Sequence, residues 1–432
     1  MEAQARTVRR LWPRRLGARL RPRLSGRLVT LLAVIGPGVI TSNVDNDAGG
    51  ITTYSLAGAE FGYALLWMLL PLTVALIVVQ EMCARMGVVT GKGLADLIRE
   101  QYGVKATFYI MAALLFANLA NTMAEFAGVA AALEIFGVSK YISVPLAATF
   151  VWWLVVYGTA RRVEKVFLIA CVFYVAYLVS GVLARPVWED VLRHLVVPQI
   201  EWRPAYLVMF VGIVGTTIAP WMQFYLQSAV VEKGVRLAEY RYCRIDVIVG
   251  SIIAVAVAMF IMVACAATLN ARGVAIDSAK DAALALEPLA GPYCAGLFAF
   301  GLFNASLFAA SVLPLSTAYY VCEAFGWETG IDRKLREAPQ FFGLYTMLII
   351  VGGAVIMVPH FPLLAVMYLS QVLNGVLLPF ILILMLLLIN RSDLMGSYVN
   401  SRLFNLIAWS TSVIVIAMTI AMLGSVLMGY AL

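Results

Sequence analysis

Asp45 and Asp47 stand in the stretch Asp45-Asn46-Asp47-Ala48-Gly49-Gly50, inside a segment that is otherwise apolar. A second interruption, Gly215-Thr216-Thr217-Ile218-Ala219-Pro220, sits inside another apolar segment. Glycine and proline break the i to i−4 ladder of a helix, and carbonyls freed at membrane depth are tolerated only where they are buried in protein or line a hydrated cavity. Asp47 therefore puts a carboxylate beside released carbonyls, the oxygen-rich arrangement a hard cation needs. The alternative for Asp47 is an N-cap on the helix that resumes at Ala48. Asp45, on the same unwound stretch, either lines the same vestibule or faces water. Paired breaks in corresponding parts of two halves point to a secondary transporter with its substrate near the bilayer midplane.

Other ionisable residues inside apolar runs are few: Glu81, Glu125 and Asp246, with Glu134 and Glu323 nearer the ends. Such residues are costly in lipid and functional by default. Glu81 and Arg85, at i and i+4, form an intrahelical pair near the cytoplasmic end of their helix. Glu125 and Asp246 belong to a polar network through the bundle interior, serving either ion passage or structural hydrogen bonding. An intramembrane aspartyl protease built on Asp47 and Asp246 requires carboxylates close enough to share a proton, and no matching motif accompanies them, so an enzyme is not expected. The six cysteines are scattered without Cys-x-x-Cys spacing, which argues against a disulfide framework or a zinc site. The only histidines, His194 and His360, fall in outward loops and leave no basis for haem ligation or a histidine relay; no resident cofactor is expected.

The elements that must position these residues follow from composition. With 62% hydrophobic and 13% charged residues and a mean hydropathy of +0.91, the chain reads as an all-α polytopic membrane protein with the lipid bilayer as its surroundings. Apolar runs near residues 30–58, 62–88, 107–135, 141–160, 164–184, 205–230, 246–269, 290–322, 340–358, 362–389 and 404–430 give eleven candidate spans. A cytoplasmic N-terminus leaves most of the 31 basic residues inside, including the arginines of a basic tail over residues 1–27, Lys92, Arg99 and Lys105, Arg161, Arg162 and Lys165, and Lys233, Arg236, Arg241 and Arg244. The C-terminus is then extracellular. The tail reads as a topology anchor rather than a nucleic-acid arm, no cleavable secretory signal is expected, and neither nucleic acid nor an obligate protein partner is implied. Residues 28–200 and 201–390 read as two five-helix repeats, each opening with a broken helix. An odd helix count inverts the second, and residues 391–432 add one more span.

Several stretches, in order, resemble one family. Gly36-Pro37-Gly38, Ala57-Gly58-Ala59-Glu60-Phe61-Gly62-Tyr63-Ala64-Leu65-Leu66-Trp67, Gln80, and Arg85-Met86-Gly87-Val88-Val89-Thr90-Gly91-Lys92 look like the early helices of the NRAMP divalent-metal transporters. Ser370-Gln371-Val372, Leu378-Pro379-Phe380 and Asn390-Arg391-Ser392-Asp393-Leu394-Met395-Gly396 agree later in the chain. The resemblance implies a LeuT-type bundle of ten core helices in two inverted repeats plus an eleventh, carrying divalent metal ions by alternating access. It implies Asp47 as a direct or water-mediated ligand, and Val44 and Thr216 as ligands through backbone carbonyls. Gln371 is then an amide that approaches on closure, with a buried interhelical hydrogen bond as its alternative. Thr217 and Asn374 follow as outer candidates.

The departures from the family pattern carry an expectation of their own. Asp47-Ala48-Gly49-Gly50 replaces Asp-Pro-Gly-Asn, and Ala219-Pro220-Trp221 replaces Met-Pro-His. The amide and the thioether are gone, and carboxylate, carbonyl and water suit Mg²⁺ and Mn²⁺ better than softer ions. Ala48, Gly50 and Ala219 then shape a cavity roomy enough for a Mg²⁺ that keeps part of its water. In Asn121-Thr122-Met123-Ala124-Glu125, Thr122 replaces an acid of the family pattern, and Trp221 or Met222 replaces the histidine. Only Glu125 titrates, so uncoupled uptake is expected along a polar pathway of Asp45, Thr122, Glu125 and Trp221. These changes look like the NRAMP-related magnesium transporter branch. Two rival expectations are a proton-coupled Mn²⁺ or Fe²⁺ importer and an amino-acid transporter of the same architecture, whose substrate carboxylate Asp47 would repel.

Overall fold

The computed structural model describes residues 36–159, 163, 165, 166, 169, 175–283 and 291–427. The basic tail, Arg161 and Arg162, part of the expected fifth span including Cys171, and the last residues lie outside them. Among the described residues, all regular structure is helical, as expected where no water is available to satisfy the main chain. Among the described residues, eight helices are long and apolar enough to cross a membrane. The remaining expected spans correspond to a helix divided by its break, a helix of 17 residues, and the fifth run, described only in part.

The first span is two helices, α1 (Pro37–Val44) and α2 (Ala48–Phe61). Next come α3 (Leu69–Thr90), α4 (Leu94–Glu134), α5 (Lys140–Val156), α6 (Val175–Leu183) and a short polar-faced α7 (Trp188–Val196). The sixth span is again divided, into α8 (Pro204–Thr217) and α9 (Pro220–Glu232). The chain ends with α10 (Tyr240–Cys265), α11 (Cys294–Phe325), α12 (Pro339–Ile356), α13 (Leu363–Ile389) and α14 (Arg402–Leu427). The apolar run near 107–135 is only part of α4, which begins earlier and kinks at Gly103 (φ 78°, ψ 168°), a conformation that glycine alone adopts readily.

Packing encloses the two breaks. The α1–α2 span lies against α10 and α13, α8 against α13 and α9 against α3, and α4 runs along α11. Two crossings depend on missing side chains. A Cβ on Gly38 would stand 2.7 Å from the Val247 nitrogen, and one on Gly250 would stand 2.7 Å from the Gly38 carbonyl, so α1 and α10 touch backbone to backbone. Gly215 and Gly375 allow the same approach of α8 to α13. Small residues at such crossings provide close contact where no hydrophobic driving force separates lipid from protein.

Asp246 on α10 locks α1 in place. Its carboxylate accepts from the backbone nitrogens of Gly36 (3.2 Å), Gly38 (2.7 Å) and Val39 (3.3 Å), satisfying donors that open the helix. Asp246 is therefore a cap for α1 rather than a step in an ion pathway. It also sits at the end of α1 remote from Asp47, and eight residues of helix rise about 12 Å, so the two form no aspartyl dyad. The expected Glu81–Arg85 pair is present at 3.0 Å. Arg85 also donates to the carbonyls of Tyr398 and Val399 and to Asn400 (2.5 Å), while Glu81 accepts from the Tyr240 hydroxyl, fastening α3 to α10 and to the segment before α14. The described cysteines, Cys83, Cys243, Cys265, Cys294 and Cys322, are all free and buried.

Candidate metal centre

Asp47 adopts an extended backbone (φ −75°, ψ −171°) and its Oδ1 accepts from the Gly50 nitrogen at 2.6 Å. It is thus the N-cap of α2, where the helix dipole favours negative charge. The Asp47 carbonyl continues the ladder to Ile51 (2.8 Å). Ala48 donates instead to Glu125 Oε2 on α4 at 3.2 Å, so the Val44 carbonyl loses the i+4 donor a continuous helix would supply. Glu125 therefore reaches the start of α2, one residue from Asp47.

Acceptors without donors concentrate here. Asn43 Oδ1, both carboxylate oxygens of Asp45, Asn46 Oδ1 and Glu125 Oε1 are buried and without a hydrogen-bond partner. Leaving a buried polar atom unsatisfied costs roughly 1–3 kcal/mol, and more when it is charged. Oxygens of this kind can be complemented only by donors or by a cation. Asp45 is 4% exposed, so it does not simply face water.

The second break meets the first. Pro220 has no N–H to offer the Thr216 carbonyl, which is thereby freed; Ile218 (φ −132°, ψ 67°) and Ala219 (φ −70°, ψ 141°) are the non-helical residues between α8 and α9. Thr216 Oγ1 donates to the Asp45 carbonyl at 3.4 Å. Thr217 Oγ1 donates to the Ile213 carbonyl (2.7 Å) and accepts from the Tyr54 hydroxyl at 2.9 Å. The room expected beside Gly50 is not there: the Asp45 carbonyl occupies the position a Cβ would take, and Thr216 Oγ1 stands 3.0 Å from it. Gly50 lets the two breaks close on each other instead of widening a cavity. Ala219 is buried beside them.

Gln371 on α13 completes the wall. Its amide nitrogen fills the place of a Cβ on Gly49, so it already touches the break. It is held from behind by Ser370 Oγ at 3.3 Å and by Asn374, whose nitrogen donates to Gln371 Oε1 at 3.0 Å. Asn374 exchanges two 3.1 Å hydrogen bonds with Asn121 on α4, and Asn121 continues to Asn118 at 3.2 Å. Gln371 thus touches the break while its own hydrogen bonds stay within α13, and the buried interhelical link to α4 is made by Asn374 with Asn121.

Two expected members of the polar pathway point elsewhere. Thr122 donates to the Asn118 carbonyl at 2.7 Å and its methyl packs on Gly352 of α12. Trp221 stacks at 6.2 Å with Tyr225, and its carbonyl accepts from Ser316. Their positions one residue from Asn121 and Pro220 put them on other faces of their helices. Tyr54 and Asn121 join the site without having been singled out. Tyr54 lies seven residues beyond Asp47, two turns along the same helical face, a spacing that could have revealed it. The thioethers nearest in sequence are engaged: Met367 accepts from Thr52 at 3.6 Å and Met222 from Gln80 at 3.7 Å. Among the described residues, no three His, Cys, Asp or Glu side chains converge closely enough to chelate a bare ion.

Residues 38–425 match the family described as natural resistance-associated macrophage protein-like, NRAMP. The chain belongs to this family. Among its NRAMP relatives, a protein of Deinococcus radiodurans named divalent metal cation transporter MntH is 31% identical over 421 residues, spanning 94% of this chain and 92% of that one. The protein of the same name from Burkholderia ambifaria is 29% identical over 423 residues, spanning 92% and 90%. A solved structure of an Eremococcus coleocola manganese transporter superposes with a TM-score of 0.74 at 23% identity, over 94% of this chain and 88% of that one. MhsT in complex with L-phenylalanine superposes with a TM-score of 0.59 at 14% identity, over 94% of this chain and 99% of that one. The fold is therefore LeuT-type, and this NRAMP protein is a multi-pass membrane protein whose relatives are named as transporters rather than enzymes.

Proposed function

We propose that this NRAMP protein transports divalent cations by alternating access, taking up Mg²⁺ with part of its water shell and also Mn²⁺, without coupling to protons. The observation that carries this reading is the concentration of buried oxygen acceptors without donors on Asn43, Asp45, Asn46 and Glu125, beside Asp47 and the freed carbonyls of Val44 and Thr216. Water bound to a cation supplies the missing donors, and Mg²⁺ gives up water reluctantly. Thioethers engaged with Thr52 and Gln80 leave a hard-oxygen ligand set, which suits Mg²⁺ and Mn²⁺.

Asp47 is the anchoring ligand, and Gln371 approaches from α13. Because Gln371 of α13 covers Gly49 while the Asp45 carbonyl and Thr216 of α8 cover Gly50, admitting a hydrated ion requires α13 to withdraw and the two breaks to part. A cavity of about 420 Å³ lined by Glu134, Asp277 and Leu364 lies where the end of α4, the start of α13 and the segment after α10 meet. It shares Ala279 and Leu364 with a small cavity bounded by Thr52 and Met367, one turn above the break, and supplies an entry route. With the N-terminus cytoplasmic and the C-terminus extracellular, this route opens outward. Residues 28–200 and 201–390 form the inverted repeats, each opening with a divided helix, and 391–432 the added span. The membrane potential supplies about 2.3 kcal/mol per charge per 100 mV, sufficient drive for a dication without protons.

A second reading, a proton-coupled importer of Mn²⁺, is favoured by one observation: the buried carboxyl of Glu125 reaches the break at Ala48, next to Asp47. Uptake of Mg²⁺, Mn²⁺ and Cd²⁺ into proteoliposomes separates the two. The proposed function requires millimolar Mg²⁺ to enter and to compete with Mn²⁺; exclusion of Mg²⁺ with tight Cd²⁺ transport supports the importer.

A further inference from the structure

Asp45 is a buried acid that stands outside the direct ligands named above. Both of its carboxylate oxygens lack a partner, at 4% exposure. Among the described residues its carboxylate oxygens meet no hydrogen-bond donor, and the neighbouring acid Asp47 lies two positions on. The Asp45 carbonyl is braced by Gly50 and Thr216, which fixes the backbone from which the side chain projects. The amide oxygens of Asn43 and Asn46, on either side, are also without donors. Burying an unpaired charge opposes folding, and a bound cation with its water is one complement that such oxygens accept.

Resting on the proposed transport of a partly hydrated dication, we infer that Asp45 is a specificity-determining residue. Its carboxylate accepts hydrogen bonds from the water shell of the ion anchored at Asp47, and so lets Mg²⁺ compete with ions that shed water more easily. Asp47, the Val44 and Thr216 carbonyls and Gln371 supply the direct ligands of that reading, and water links Asp45 to the ion. Two carboxylates then match the charge of one dication. Mn²⁺, which exchanges water for protein oxygens more readily, depends less on the outer anchor.

The test is Asp45→Asn, which keeps size and removes charge, measured beside the wild type for Mg²⁺ and Mn²⁺ uptake in proteoliposomes, with melting temperature followed as each metal is added. The expected result is a KM for Mg²⁺ raised about tenfold or more and a KM for Mn²⁺ raised less than about threefold, since losing a charge-assisted hydrogen bond is worth roughly one decade. The metal-free variant should melt at a higher temperature than the wild type, and Mg²⁺ should stabilise it less, because stabilisation follows ligand affinity. Asp45→Ser provides the same readouts if the asparagine variant is poorly folded. An unchanged Mg²⁺ KM, or equal weakening for both metals, overturns the inference while Mg²⁺ transport itself stands. A wild type that excludes Mg²⁺ overturns the proposed function, and this inference falls with it.

Discussion

Replacing Asp246 with alanine should loosen α1 selectively, and the size of the effect follows from three contacts. The 2.7 Å bond from Gly38 is charge-assisted and short, worth about 1.5–3 kcal/mol, while those from Gly36 and Val39, at 3.2 and 3.3 Å, are long and worth about 0.5–1 kcal/mol each. Removing the desolvation cost of the carboxylate offsets part of the sum, which leaves a net loss of about 2–4 kcal/mol, at or above the upper end for an N-cap. Asp246→Asn should lose nearly as much, because an amide turns an N–H toward donors where the carboxylate offers a second acceptor. Hydrogen–deuterium exchange in detergent reads this directly. About 3 kcal/mol corresponds to a loss of protection of roughly a hundredfold or more, confined to α1, with α2 little changed because Asp47 caps it independently. Exchange in α1 that is unaltered by Asp246→Ala would refute the capping role and reopen Asp246 as a member of an ion pathway.

Other expectations are shorter to state. Asp47→Ala removes both the anchoring charge and the cap of α2; calorimetric titration should show Mg²⁺ and Mn²⁺ affinity falling roughly a hundredfold, with uptake abolished. Gly375→Leu forces α13 off α8 at a crossing without room for a side chain, so uptake should cease while membrane expression persists. Arg85→Ala leaves the Glu81 carboxylate buried without its cation and should lower stability by about 3–5 kcal/mol, seen as a reduced melting temperature, whereas the Glu81→Gln, Arg85→Met double variant should recover much of it.

The breaks are legible in the sequence because Gly49, Gly50 and Pro220 act on their own backbone, and a local cause needs no partner. Asp47 as helix cap is legible for the same reason, and so is the Glu81–Arg85 pair, set by a four-residue spacing. Asp246 is not, since its partners lie about two hundred residues away and only the crossing of Gly38 with Gly250 brings them together. The space expected beside Gly50 fails instructively. Counting lost side-chain volume assumes that the backbone stays apart, and here the Asp45 carbonyl moves into the gap. Thr122 and Trp221 inherit positions from a family pattern, but helix phase turns one toward α12 and the other toward Tyr225. The amide chain from Gln371 through Asn374 to Asn121 joins two helices, and no single stretch of sequence contains it.

The central claim is that a hard dication crosses alone. Sealed proteoliposomes holding a Mg²⁺-sensitive dye, with a pH dye in a parallel set and an imposed inside-negative potential, test it most directly. The account predicts Mg²⁺ entry that grows with the potential, no acidification of the lumen, and no entry with Asp47→Ala. Exclusion of Mg²⁺ while Mn²⁺ enters together with protons would contradict it.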